Sequence, residues 1–193
     1  MSAASRPIAT TRSTAGMPTG RLAVWWVIGS EIVIFGGILG SYIMHRLAHD
    51  AFAQQAAHTN TWIGAFNTFV LLTSSLFAVL AHQAAEKGNG KKASRLLWMT
   101  IAGGGVFLTV KSFEWTNEIR HGFTIQSSGF WSYYYTAAGV HAFHVIAGMC
   151  LMAWVAGTAA KNQELYRVEN VGIYWHFVDI VWIFLFPLLY IAK

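Results

Sequence analysis

Charge is scarce in this sequence. Only 11% of its 193 residues are Asp, Glu, Lys or Arg, whereas 55% are hydrophobic. A soluble domain carries about 25% charged residues, so this balance excludes an ordinary water-soluble globule. Cysteine is scarcer still. Cys150 stands alone in an apolar run, which excludes an internal disulfide, a Cys-rich metal site and a dinuclear copper centre built on a Cys pair. No glycine-rich phosphate loop precedes a helix end, and no period of 20 to 50 residues repeats, so neither a nucleotide fold nor a solenoid is expected. Met1 to Arg21 contains Arg6, Arg12 and Arg21 but no acid, and lacks the short apolar core of a secretory signal. The net charge of +5 does not point to nucleic acid, because the basic residues sit in loops between apolar runs.

Those apolar runs number five, each long enough to cross ~30 Å of hydrocarbon. They are residues 22–44, 62–82, 96–116, 132–157 and 171–191. The predicted fold class is all-α: one polytopic bundle of five transmembrane helices over 22–193, after a disordered cytoplasmic tail at 1–21. Nine tryptophans and 18 glycines suit this setting, Trp as an interfacial anchor and Gly as a site of close helix approach. Tyr133, Tyr134 and Tyr135 read as an interface belt at the head of the fourth span. Gly36 and Gly40 form a G-x-x-x-G face on the first, a helix-packing candidate, and Gly103 to Gly105 read as a packing face on the third. Orientation follows from basic residues on alternate sides. Arg6, Arg12, Arg21, Lys87, Lys91, Lys92, Arg95, Lys161 and Arg167 lie on one side, and Arg46, Arg120 and Lys193 on the other. Nine against three predicts a cytoplasmic N-terminus and an external C-terminus.

Ionisable residues inside such spans are costly and therefore informative. They are Glu31, Lys111, Glu114, His141, His144, His176 and Asp179. Glu31 lies near mid-membrane, ~15 Å along its helix from Arg21, with no cation on the same stretch. It is a candidate for proton relay or for a polar contact with lipid or a partner. Asp179 is expected at a similar depth and His176 one turn before it, either as a capping pair at the helix start or as a polar inner face. Lys111 and Glu114 either snorkel outwards or close on each other as an ion pair. His141 and His144 have the i, i+3 spacing of a metal-ligand pair. A haem between helices needs a second histidine at matching depth, and His82 lies at the opposite end. Bonding to backbone or hydroxyls of adjacent helices is therefore the expectation for this pair. Asn67, Thr68, Thr73, Ser74 and Ser75 give the second span a hydroxyl-rich stripe suited to bonding across helices.

Five local motifs, one on each span and in order, carry a resemblance. They are Ser30-Glu31 in a Gly-rich helix; Asn67-Thr68 with Leu71, Leu72, Ser74 and Ser75; Lys111-Ser112-Phe113-Glu114-Trp115; Gly139 to Val145, read G-V-H-A-F-H-V; and Tyr174 to Trp182, read Y-W-H-F-V-D-I-V-W. Together the sequence resembles subunit III of the haem–copper respiratory oxidases in its short five-helix bacterial form. Val140 and Ala142 depart from the usual Phe and Gly, and Ala159 and Ala160 stand where longer forms place an Arg near lipid headgroups.

The resemblance implies an accessory subunit with no catalytic centre, haem or copper of its own. It would pack mainly on subunit I, with subunit II in the same complex, in a bacterial inner membrane. The haem and copper would belong to the partner subunits, and phospholipid would be bound structurally. Glu31, with Asp179, would support proton uptake and sustained turnover in an oxidase that reduces oxygen to water and pumps protons. Lys111, Glu114, His141, His144 and His176 would make polar helix contacts. An accessory protein of a bacterial nitric oxide reductase is the nearest alternative, and a free-standing b-type cytochrome a more distant one.

Overall fold

The computed structural model describes residues 13–14, 17–49 and 51–192. Ser13–Thr14 (β1) and Met17–Pro18 (β2) pair as a minimal antiparallel ladder, Ser13 opposite Pro18 and Thr14 opposite Met17. Helices follow: α1 (Thr19–Ala48), the short α2 (Ala51–Ala56), α3 (Thr61–Glu86), α4 (Gly90–Arg120), α5 (Gly129–Ala159) and α6 (Tyr166–Phe186). A π-helical turn, Pro187–Ile191, continues α6. Five helices are long and apolar enough to span a membrane.

Each helix outruns its hydrophobic span. At 1.5 Å per residue, 26 to 31 residues reach roughly 39–46 Å, enough to pass the headgroups at both faces. Hydrophobicity marks only the lipid-embedded part, whereas caps mark the true ends. Asn60 accepts from the Trp62 and Ile63 amides, and Asn89 accepts from the Lys92 amide at 3.0 Å. At the other end of α1, helix begins at Thr19, inside the expected tail. Arg21 there forms an ion pair with Glu169 of α6, which ties the first turn down. The remainder of the expected tail, up to residue 12, lies outside the described residues.

Helices α3, α4, α5 and α6 form a closed ring in which each packs on the next and α6 returns to α3. α1 lies outside this ring against α5 and α6. It docks through a seam with heptad spacing, Ile28, Glu31, Phe35, Ile38, Tyr42 and His45, and most of its other side chains face outwards. The ring is held where helices come closest. A Cβ on Gly103 would stand 2.6 Å from Ser74 Cβ. On Gly104 it would stand 2.8 Å from the Trp175 ring, and on Gly148 3.0 Å from the same ring. Trp175 is therefore wedged between α4 and α5, and only glycine on each side admits it. Gly36 and Gly40 behave differently: a Cβ on either meets nothing within 4 Å. That G-x-x-x-G face is exposed and is not a packing face within this chain.

Candidate functional site

The polar residues of α3 and α6 meet in a ladder. Trp175 Nε1 donates to Ser74 Oγ at 3.1 Å, and Trp182 Nε1 donates to Thr68 Oγ1 at 3.0 Å. Between them His176 Nδ1 lies 2.5 Å from Ser75 Oγ. The hydroxyl stripe of one motif is thus the receptor for the aromatic donors of another. His176 sits on this inner face, 10 residues along α6 from Tyr166, and not in a cap at the helix start. Trp131, Trp175 and Trp182 are fully buried, so these three are not interfacial anchors. Their N–H groups find partners inside the bundle, a role that composition does not reveal.

Asp179 is buried one turn beyond His176. Ser75 is the polar side chain facing it. Neither carboxyl oxygen has a partner within hydrogen-bonding limits, while the Ser75 hydroxyl lies against His176. The Arg21–Glu169 pair sets the register of the parallel helices α1 and α6. Glu31 and Asp179 each lie 10 residues beyond it, about 15 Å further in, so their depths agree. Their directions differ. Asp179 turns towards α3, and Glu31 turns towards α5.

Glu31 meets His144 there. Its Oε2 lies 3.0 Å from His144 Nε2, with side-chain exposures of 13% and 12%. The approach is that of an ion pair, off the axis of an in-line hydrogen bond. No cation shares Glu31's own stretch of helix, and its partner arrives from another helix. His144 Nδ1 is 2.8 Å from the Val140 carbonyl, which only accepts, so Nδ1 carries a hydrogen. The pair lies at the bundle perimeter, beside Phe35 and the exposed Phe143.

His141, one turn away, is wholly buried between the rings of Phe107 and Trp182, with centroids at 5.4 and 5.1 Å. Neither ring nitrogen has a hydrogen-bond partner. This corrects the expectation of backbone or hydroxyl bonding for His141; its contacts are aromatic. His144 does bond backbone, within its own helix. Among the described residues no group of three His, Cys, Asp or Glu converges as a metal-ligand set.

A second acid–base group closes the end of the ring away from the Arg21–Glu169 pair. Lys111 Nζ donates to Glu114 Oε2 at 3.1 Å, to Tyr134 OH at 2.9 Å and to Tyr190 OH. Both tyrosines in turn donate to Glu114 Oε1, at 3.0 and 2.8 Å. The two charged side chains are 2% and 1% exposed, so neither snorkels. The Lys111 ammonium also lies 4.5 Å from the Tyr134 ring centroid and 5.0 Å from that of Tyr190. Tyr134 therefore belongs to the interior and not to an interface belt. Its signal was helical spacing: Phe130, Tyr134, Ala138, His141 and Val145 share the buried face of α5. Glu118, beyond the end of the 96–116 apolar run, is helical and buried one turn past Glu114. Tyr190 arrives through the π turn, whose carbonyls are bound from three directions: Leu188 by Tyr42, Leu189 by Thr59 and Tyr190 by Thr61.

Five spanning helices, a motif on each, and the interlocking of those motifs across α3 and α6 invite comparison with known proteins. The family model for cytochrome c oxidase subunit III matches residues 10–193. The chain belongs to the cytochrome c oxidase subunit III family. It is 32% identical over 173 residues to cytochrome c oxidase subunit 3 of Corynebacterium diphtheriae, covering 86% of this chain and 84% of that protein. It is 30% identical over 175 residues to the Bacillus subtilis subunit 3, covering 88% and 84%. A heme-copper oxidase subunit I+III of Aeropyrum pernix is 31% identical over 183 residues, 89% of this chain but 22% of that longer protein. As a member of the subunit III family the chain is a multi-pass membrane protein of an oxidase complex, partnered by other oxidase subunits.

Proposed function

We propose that this chain is a non-redox accessory subunit of a proton-pumping haem–copper oxidase in a bacterial plasma membrane. It packs on subunit I, with its N-terminus cytoplasmic, retains phospholipid, and supports proton uptake and sustained turnover. The observation that carries this reading is the Glu31–His144 pair. It is an acid and a base 3.0 Å apart at mid-membrane, on the perimeter and not in the sealed core. Such a pair exchanges one proton between its partners without a change of net charge, and so avoids the cost of an uncompensated charge in hydrocarbon. The outward face of α1 adjoining it, including Gly36 and Gly40, suits a closely packed partner helix. The relative that joins subunits I and III in one chain supports subunit I as that partner.

The decisive experiment compares Glu31→Gln with Glu31→Ala in the assembled oxidase. Gln keeps the size and a donor but cannot titrate. If proton exchange matters, both variants lose proton uptake or sustained turnover to a similar degree while haem content stays normal. If Glu31 only holds α1 to α5, Gln behaves as the parent and Ala weakens assembly. Parent-like behaviour of both removes the pair from the function. Asp179→Asn, tested beside them, reports whether the second acid at this depth contributes.

A further inference from the structure

At the end of the bundle that carries the basic loops, a cavity of about 260 Å³ opens where α3 and α4 are joined by their short turn. Its lining is mixed. Leu80 and Ala84 of α3 and Leu96 of α4 supply apolar surface, Gln83 and Asn89 are uncharged, and the exposed Lys87 and Lys92 make its mouth cationic. Lys87 and Lys92 are exposed, and among the described residues neither ammonium has an ion-pair partner. Lys91 and Arg95 add two further exposed cations on the first turns of α4. The acid nearest in sequence, Glu86, lies with its Oε1 3.4 Å from His82 Nε2. Below the mouth the surface continues as an apolar rail. Phe69, Leu72, Leu76 and Leu80 follow one another at helical spacing down α3, and all four are exposed. Trp98 and Met99 are exposed on α4 beside it.

A cationic rim at headgroup level over an apolar rail has the shape and chemistry of a lipid anion with its acyl chains, and a soluble anion would leave the rail unused. We infer that the cleft between α3 and α4 at Lys87 and Lys92 binds one anionic phospholipid of the cytoplasmic leaflet. Its phosphate lies between the two ammonium groups and an acyl chain runs along Leu80, Leu76 and Leu72. This rests on the reading that the chain retains phospholipid, and it assigns that property to named residues.

The test uses the assembled oxidase in mild detergent. Retained lipids are counted by native mass spectrometry after equilibration with phosphatidylglycerol or phosphatidylcholine. The parent should retain one phosphatidylglycerol that the double variant Lys87→Gln/Lys92→Gln does not. In a titration with phosphatidylglycerol the apparent affinity should fall roughly 30-fold, since each cation near a lipid surface counts for about 1 kcal/mol. The control variant Lys161→Gln, in the other basic loop, should leave retention unchanged. Equal loss in the control would mean diffuse surface charge and overturn the site. Equal retention of phosphatidylcholine, or displacement of the lipid by inorganic phosphate, would also overturn it. Phosphatidylglycerol retained undiminished by the double variant would move the lipid elsewhere and leave the broader reading standing. No lipid retained by any form would remove both.

Discussion

Two acid–base pairs inside one bundle have opposite surroundings. Lys111 and Glu114 are sealed, 2% and 1% exposed, and every polar atom of the pair meets a tyrosine or its counter-charge. Glu31 and His144 are 13% and 12% exposed, sit between a peripheral helix and the ring, and have no tyrosine network around their one ion-pair contact. The same contrast runs through the helices that carry them. In α6, 56% of the apolar window is buried within the chain, against 11% in α1. A saturated pair in a closed ring has nowhere to pass a proton and serves to hold helices together. A sparsely bonded pair between an outer helix and the ring lacks that network, and the proposed function rests on it. Charge in a membrane is costly in both places, and only the surroundings separate architecture from chemistry.

The contrast is broken most forcefully at Lys111. Lys111→Met alone leaves Glu114 buried without its cation and should cost about 3–5 kcal/mol, read as loss of the subunit from the purified complex. The double variant Lys111→Met/Glu114→Leu should recover most of that loss. If the single variant is retained as well as the parent, the cluster is not what closes this end. Next comes the Trp175 wedge. Gly104→Leu pushes side-chain atoms into the indole and should cost about 3 kcal/mol, measured as a lowered unfolding temperature in detergent. Gly36→Leu should leave the unfolding of the isolated chain unchanged, because nothing stands near it. If both glycine variants unfold alike, the division between ring and outer helix fails.

Smaller effects sharpen the same division. Tyr190→Phe removes one donor to Glu114 and one acceptor from Lys111, a loss of roughly 1.5–3 kcal/mol for bonds to charged groups. His144→Gln keeps a polar side chain against Glu31 and should change unfolding less than Lys111→Met does, while turnover responds as it does to Glu31→Gln. A His144 variant that unfolds as readily as a Lys111 variant would make the Glu31 pair architectural too. Gly36→Leu and Gly40→Leu, neutral in the isolated chain, should loosen the subunit from the complex. Unchanged co-purification would mean that this face meets lipid.

By itself the sequence determined the number of spanning helices, since the bilayer imposes a length of apolar chain that is read locally. The same local rule made each buried charge conspicuous, and the motifs on the five spans carried the family. Helix ends were less legible, because α4 and α5 run past the hydrocarbon where hydropathy falls silent and caps such as Asn89 and Ser128 decide. Which side chains meet was settled only by the tertiary structure. Periodicity marks a face on each helix, but the order of the ring and the register between helices select its neighbour. Hence Glu31, with no base on its own stretch of helix, finds His144 on another, and Tyr134, one of three adjacent tyrosines, turns inwards to Lys111. His141, three residues from His144, is enclosed by Phe107 and Trp182, with no polar partner at either nitrogen. A helix turns 100° per residue, so neighbours in sequence face different surroundings, and the packing of the other helices decides what each of them meets.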